Sequence, residues 1–255
     1  MSTAASAAPA HPTDPPRGTV DRLVDATAGR LAGPAFALGS LVRRARVFHP
    51  RGRTFTAHVQ IRGDHRFAGT VLGRAATHDG VVRFSRGAGL PEPMPDLLGL
   101  ALRLHLTGSG HGPEDAQDVL MISSWPAPVS RHVLVPSRDY GRTYYSTLTP
   151  FRVGGETVLL GARPDHLGET GPLERLDALE EAAAGDWVRF ELVTATPLGP
   201  WTAVGTVVLG GPVPDDAGEA LRYTPFHRAG GIEPVGVVND LRRRAYADSQ
   251  AARPS

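Results

Sequence analysis

The chain has 255 residues and a formal net charge of +1, with 41% hydrophobic and 21% charged residues. This composition is typical of a globular protein with a sizeable core, and it excludes disordered, collagen-like and coiled-coil proteins. The absence of cysteine excludes disulfides, thiolate metal sites and cysteine nucleophiles. Every basic residue is arginine, which excludes Schiff-base chemistry on lysine. The balanced charge gives no general attraction to nucleic acid.

The first 18 residues are small, polar and rich in proline. This composition predicts a disordered tail, followed by a single domain over residues 19–255. The tail lacks the basic start and apolar run of a secretory signal. No stretch approaches the roughly 18 apolar residues of a membrane span. We therefore expect a cytoplasmic protein without a membrane span or a nucleic-acid partner.

Apolar residues at helical spacing predict a helix over residues 19–47, with a break at Gly33 and Pro34. Further along the chain, short β-branched or alternating segments are separated by Gly, Pro and Asp. They predict strands at 54–61, 80–86, 100–106, 118–123, 156–160, 187–195 and 201–209. Strands at this spacing favour an antiparallel sheet that closes toward a barrel. Two further helices are predicted over residues 171–184 and 237–253.

Two segments before residue 104 contain candidate functional residues. His49 lies where the first predicted helix gives way to the first strand, and a lone histidine in such a place is more often structural than catalytic. The second segment is a strand with Arg83 and Ser85 that runs into a glycine-rich turn. The turn lacks the Walker pattern and its lysine, so the pattern for a nucleotide site is weak. A plain strand and turn explains the glycines equally well.

The third segment is the last predicted helix. Arg242, Tyr246, Ser249 and Arg253 recur at i, i+4, i+7 and i+11, which places them in one stripe. An arginine one turn from a tyrosine stabilises the phenolate by charge-assisted hydrogen bonds. An exposed basic helix with a packing tyrosine is the simpler explanation of this segment taken alone.

Together and in this order, the segments resemble the heme-binding motifs of the catalase superfamily. They match a distal Arg-x-x-His-x-x-Gly motif, an Arg-Phe-Ser strand, an Asp-x-x-Gly-x-Ala-x-basic element and a proximal tyrosine signature. Tyr223, Pro225 and the pair Gly231 and Ile232 also resemble the family's approach to the proximal segment. The residues that match the four motifs are Arg46, His49 and Gly52; Arg83, Phe84, Ser85 and Gly89; Asp96, Gly99, Ala101 and Arg103; and Arg242, Tyr246, Asp248, Ser249 and Arg253.

The resemblance implies an α+β fold: an antiparallel β-barrel of the catalase type with peripheral helices and a C-terminal heme-ligating helix. It implies heme b as the cofactor, with Tyr246 as the axial metal ligand and Arg242 as the neighbour that stabilises its phenolate. The other residues it implicates are His49 as the distal acid–base, Ser85 as the residue that orients His49, Phe48 as a cover over the porphyrin, and Arg46, Arg83 and Arg253 as contacts of the propionates.

The implied function is a heme-dependent hydroperoxidase that cleaves hydrogen peroxide or organic hydroperoxides with a small-molecule reductant. The family's distal asparagine has no counterpart within residues 118–125, where Ser123 or Ser124 could replace it only in part. Two alternatives therefore stay open. One is a hydroperoxide isomerase or dehydratase of the allene-oxide-synthase type, and the other is a non-catalytic heme-binding or heme-free relative. Self-association into a homo-oligomer is also left open.

Overall fold

The computed structural model describes residues 52–106, 113–165, 170–185 and 188–236. The predicted tail and the predicted helices at 19–47 and 237–253 lie outside these residues. The strands within them are β1 (Gly52–Ile61), β2 (Ala76–Arg86), β3 (Leu98–His105), β4 (Ala116–Ser124), β5 (Tyr144–Ser146), β6 (Phe151–Val153), β7 (Glu156–Pro164), β8 (Arg189–Ala195), β9 (Thr202–Pro212) and β10 (Ile232–Pro234).

Eight of these strands form a closed antiparallel barrel. Its order is β7-β5-β4-β3-β2-β1-β9-β8, and pairing of β7 with β8 closes the ring. The short strands β6 and β10 extend the sheet from β7. The prediction of an antiparallel sheet that closes into a barrel is therefore confirmed.

The barrel encloses the hydrophobic core because inward and outward side chains alternate along each strand. At its centre, Phe84 packs against Phe55, Tyr140, Tyr145 and Phe190 at ring-centroid distances of 5.8 to 6.1 Å. All five rings are buried. The Tyr145 hydroxyl donates to the carbonyl oxygen of Tyr140 at 2.9 Å, so it has a polar partner inside the apolar core.

The predicted α+β class is wrong for the described residues, which are mostly β. They contain two short α-helices, α1 (Leu176–Ala184) and α2 (Asp215–Ala220), beside the barrel and three 3₁₀ turns. The prediction gave weight to long helical patterns near both ends of the chain, but the described residues are mainly alternating and β-branched. The predicted C-terminal heme-ligating helix is not shown, because residues 237–253 lie outside the described residues.

The helix predicted over residues 171–184 begins later, at Leu176. Leu173 has helical spacing with later leucines, but its backbone N–H donates to Asp139 at 3.3 Å and its carbonyl accepts from Tyr140. The carboxylate of Glu92 accepts from the backbone N–H of Leu176 and so caps the helix from another part of the chain. Tertiary hydrogen bonds therefore set the start of α1. Within the described residues, no helix is long and apolar enough to cross a membrane.

Candidate functional site

The candidate site lies on the outside of the barrel, where β1 to β4 run side by side. Pairing places Ser85 opposite both Gly52 and Gly99, and Arg83 opposite both Thr54 and Ala101. On the far side of β3, Ile122 pairs with Gly99 and Leu120 with Ala101. We call this surface the outer face; its residues are Gly52, Thr54, Arg83, Ser85, Gly99, Ala101, Leu120 and Ile122.

Alternation along β2 puts both predicted site residues of this strand on the outer face. Val82, Phe84 and Arg86 are buried, whereas Arg83 and Ser85 between them are half-buried. Since side chains two apart point to the same side of a strand, Arg83 and Ser85 are neighbours on one surface. The structure therefore brings together the two predicted site residues that it describes.

Glycines on the neighbouring strands make room for these two side chains. A Cβ atom at Gly99 would lie 2.6 Å from the Ser85 Oγ, and a Cβ atom at Gly52 would lie 2.9 Å from an Arg83 nitrogen. The Ser85 hydroxyl thus leans over β3, and the Arg83 guanidinium leans over β1. Together with Ala101, the two glycines leave a low surface around a hydroxyl and a cation.

The polar groups of Arg83 and Ser85 form few hydrogen bonds or ion pairs with the described residues. Arg83 Nη1 donates to the Thr54 hydroxyl at a long 3.5 Å. Among the described residues no carboxylate forms an ion pair with Arg83, and no hydrogen bond involves the Ser85 hydroxyl. A guanidinium offers five N–H donors, so Arg83 has donors left for another group.

Arg103, two residues beyond Ala101 on β3, is buried and forms an ion pair with Asp118. Its Nε and Nη2 donate to the two oxygens of Asp118 at 2.7 and 2.8 Å, and Nη2 also donates to the Arg222 carbonyl at 2.6 Å. His227 Nδ1 lies 2.9 Å from Asp118 Oδ2 and 3.0 Å from Arg103 Nη2. Because both hydrogens of Nη2 are already donated, His227 Nδ1 must carry a proton and donate it to Asp118. Burial lowers the pKa of Arg103, but the hydrogen bonds and charge of Asp118 raise it above its usual value.

This cluster also holds Tyr223 against the outer face. The Arg103 guanidinium carbon lies 5.0 Å from the centre of the Tyr223 ring. The Tyr223 hydroxyl is buried and has no hydrogen-bond partner among the described residues. Burial raises the pKa of Tyr223 to about 12, against smaller opposing contributions from the charges of Arg103 and Arg83 and from the neighbouring Thr54 hydroxyl. Tyr223 is therefore a neutral donor at neutral pH.

Asp96, part of the sequence motif, has a structural role. Its carboxylate accepts from the backbone N–H groups of Ala88, Leu90 and Leu97 at 2.6 to 3.0 Å. It also lies 3.6 Å from the buried Arg86 guanidinium. These bonds shape the turn between β2 and β3, and they account for Asp96 without a ligand.

Ser123 and Ser124, the two possible substitutes for a distal asparagine, differ in the side of β4 on which they lie. Ser123 is buried, and its hydroxyl accepts from the Leu98 backbone N–H at 3.0 Å. Ser124 is also buried, and it alternates with Ser123 along β4. Only Ser124 shares the side of β4 on which Ile122 lies. Ser123 is therefore committed to holding β3 and β4 together.

The remaining predicted site residues lie outside the described residues. They are Arg46, Phe48 and His49 before β1, and Arg242, Tyr246 and Arg253 after β10. Within the part of the chain that the structure describes, no group of three or more His, Asp or Glu side chains could hold a metal ion.

Sequence reasoning missed the importance of Asp118 and His227. A signal for Asp118 was available, since a lone carboxylate borders the apolar run of β4. His227 gave no such signal because its partner lies 109 residues away in sequence. Only the folded barrel brings the segment around residues 222–228 against β3 and β4.

Comparison with known proteins supports the fold alone. No protein-family model and no curated protein matches the sequence. Among solved structures, a bacterial catalase superposes with a TM-score of 0.58 at 14% sequence identity. The match covers 86% of this chain but only 60% of the catalase chain. The described barrel is therefore catalase-like in its fold.

Proposed function

We propose that the protein is a heme-dependent hydroperoxidase. The observation that carries the proposal is the outer face of a catalase-like barrel, on which Arg83 and Ser85 lie side by side with polar groups that the protein leaves unused. An unpaired half-buried guanidinium is costly to keep without an anion nearby. A ligand with a carboxylate supplies that anion.

The residues present fit a heme group. Gly52, Gly99 and Ala101 keep the surface low, and Leu120 and Ile122 offer half-buried apolar contacts. A planar apolar ring with carboxylates at its rim matches an apolar surface that ends in an arginine. The buried and unpartnered hydroxyl of Tyr223 adds a donor at the same rim.

Each predicted residue has a role in this proposal. Arg83, Arg46 and Arg253 would bind the carboxylates of heme, and Phe48 would cover one side of the ring. Tyr246 would ligate the iron as a phenolate, and the positive charge of Arg242 would favour that ionised form. Bound heme would supply the redox chemistry that cleaves the oxygen–oxygen bond.

Proton transfer would fall to His49. Its imidazole would take the proton from the hydroperoxide and deliver it to the leaving oxygen, as a general acid–base does. The Ser85 hydroxyl would hydrogen-bond the imidazole and hold it in one orientation. The absence of any other hydrogen bond to Ser85 among the described residues supports this assignment.

A second candidate is a hydroperoxide isomerase or dehydratase on the same heme. The outer positions of β4 favour it, because Leu120 and Ile122 are apolar and Ser123 is committed to the Leu98 backbone. A surface of this kind suits the acyl chain of an organic hydroperoxide better than it suits hydrogen peroxide.

The first experiment is the visible spectrum of the full chain purified from heme-replete cells. We expect a Soret band with a ferric tyrosinate pattern, which Tyr246→Phe removes or alters. Tyr144→Phe is the matched control, because Tyr144 is exposed and distant in sequence from every predicted site residue. A spectrum that survives Tyr246→Phe unchanged would exclude Tyr246 as the ligand.

The second experiment separates proton transfer from heme binding. We expect His49→Ala to keep the Soret band and to slow hydroperoxide turnover by about 10²–10⁴-fold. His58→Ala, at an exposed position on β1, serves as the control. Equal turnover by both variants would exclude His49 as the acid–base.

Product analysis then decides the reaction. Oxygen evolution identifies a catalase, dye oxidation a peroxidase, and rearrangement of a lipid hydroperoxide without a reductant an isomerase or dehydratase. A protein that binds heme and catalyses none of these would be a non-catalytic relative.

A further inference from the structure

Hydrogen-bond donors outnumber acceptors where β1, β2 and the segment around Tyr223 meet. The Tyr223 hydroxyl is buried without a partner among the described residues. Arg83 has one long contact, to Thr54 Oγ1. The Thr54 hydroxyl accepts in that contact and is also a neighbour of the Tyr223 oxygen, where it lowers the pKa of Tyr223. Arg83 and Tyr223 can therefore each donate to a further acceptor.

Asp118, the carboxylate of this region, cannot accept further hydrogen bonds from these side chains. Asp118 already accepts four hydrogen bonds, two from Arg103, one from His227 and one from the backbone N–H of Thr224. Its two oxygens have four acceptor sites in all. No other carboxylate among the described residues pairs with Arg83. Within the described residues, these donors are therefore left open to an acceptor such as a ligand carboxylate.

A buried donor without an acceptor destabilises the protein. A carboxylate relieves that cost, since one oxygen can accept from a guanidinium and the other from a hydroxyl. We propose that the Tyr223 hydroxyl, together with Arg83, binds one carboxylate of the heme ligand. The inference rests on the proposed function and adds Tyr223 to the residues that bind the ligand.

The protein holds Tyr223 ready for this contact. On one side of it the Arg222 carbonyl accepts from Arg103, and on the other the Thr224 backbone N–H donates to Asp118. The ring itself packs on the Arg103 guanidinium. Binding therefore does not have to order the tyrosine, which preserves affinity.

Arg83 is the side chain that can move to admit the carboxylate. Its guanidinium rests over Gly52 and is held by a single contact of 3.5 Å. It can turn without breaking an ion pair within the described residues. Tyr223, in a fixed position, and Arg83, which can move, would then both donate hydrogen bonds to the carboxylate.

The test compares hemin (ferric heme chloride) with hemin dimethyl ester, whose carboxylates are blocked. Both are titrated into the full chain and into Tyr223→Phe, with absorbance as the readout. We expect Tyr223→Phe to weaken binding of hemin about 5–10-fold, as the loss of one hydrogen bond to a charged group predicts. Binding of the ester should change less than about 2-fold.

Tyr144→Phe is the matched control and should leave both affinities unchanged. Tyr223→Phe removes a hydroxyl that has no acceptor for its hydrogen among the described residues, so we expect its melting temperature to stay close to that of the unaltered chain. Arg83→Gln gives a second measure, since it too should affect hemin more than the ester.

The outcomes separate this inference from the proposed function. Hemin that binds the unaltered chain, with equal effects of Tyr223→Phe on acid and ester or with no effect, would overturn the role of Tyr223 alone. An unaltered chain that binds neither compound would overturn both proposals.

Discussion

Two arginines on adjacent strands of one barrel face have opposite surroundings. Arg103 is buried, donates to both oxygens of Asp118 and also bonds the Arg222 carbonyl. Arg83 is half-buried and makes one contact of 3.5 Å with Thr54. A buried cation that is paired with a carboxylate is already committed within the fold, whereas a cation without a counter-ion among the described residues has donors left for a ligand. The comparison therefore indicates a structural role for Arg103, and it is the basis on which we propose a ligand-binding role for Arg83.

The largest effect on stability should come from breaking the ion pair between Arg103 and Asp118. We expect Asp118→Ala to lower the free energy of unfolding by about 3–5 kcal/mol, because it leaves the buried Arg103 without its counter-ion. Urea denaturation measures this change. Asp79→Ala is the control, since Asp79 is exposed on β2 and its loss should cost no more than about 0.5 kcal/mol. Equal costs for the two variants would contradict a structural role of the Arg103–Asp118 pair.

The next largest effect should come from a substitution at Gly52, which lies next to the Arg83 guanidinium. A Cβ atom at Gly52 would lie 2.6 Å from the Phe84 carbonyl oxygen and 2.9 Å from an Arg83 nitrogen. We expect Gly52→Ala to cost about 1–3 kcal/mol of stability through this overlap. It should also weaken hemin binding, because it displaces Arg83. Gly211→Ala is the control, since a Cβ atom there meets nothing within 4 Å. Melting curves and hemin titrations that do not distinguish the two variants would contradict this placement.

Replacing Arg83 itself should affect binding rather than folding. We expect Arg83→Gln to weaken hemin binding about 10-fold, or about 1.4 kcal/mol. Its free energy of unfolding should stay within about 0.5 kcal/mol of the unaltered chain. Arg66→Gln, at an exposed arginine that pairs with Asp64, is the control for the loss of one positive charge. A large loss of stability in Arg83→Gln would show that Arg83 has a structural role like that of Arg103.

The smallest effect concerns an exposed pair. Hydrogen bonds from Arg66 hold the pKa of Asp64 below its usual value. A lowered folded-state pKa means that the stabilisation is present above the unfolded-state pKa of about 3.9 and is lost as the pH falls through the folded value. We expect Asp64→Asn to cost less than about 1 kcal/mol at neutral pH. The difference from the unaltered chain should shrink in acid, and urea denaturation over a pH series checks both points. A difference that grows in acid would contradict the assigned direction.

Much of the barrel follows from local sequence. The long strands alternate or are β-branched, so β1 to β4 and β7 to β9 were predictable in position. The three-residue strands β5, β6 and β10 were not, because three residues are too few to display a period of two. The start of α1 at Leu176 also escaped prediction, since bonds to Asp139 and Glu92 from distant parts of the chain set it.

The candidate site was also predictable from the sequence only in part. The common surface of Arg83 and Ser85 follows from their spacing along one strand. The spacing could not show that Arg103 would be paired and Arg83 unpaired, because the difference depends on Asp118 two strands from Arg83. It also could not place Tyr223, which reaches the outer face through contacts that join residues 103 and 118 to the segment at 222–227.

The most direct test of the central claim is a crystal structure of the full chain with hemin bound. We expect the porphyrin to lie over Ser85 and Gly99 on the outer face, with one carboxylate within hydrogen-bond distance of Arg83. A porphyrin bound on another surface, or crystals that take up no hemin at saturating concentration, would contradict the claim.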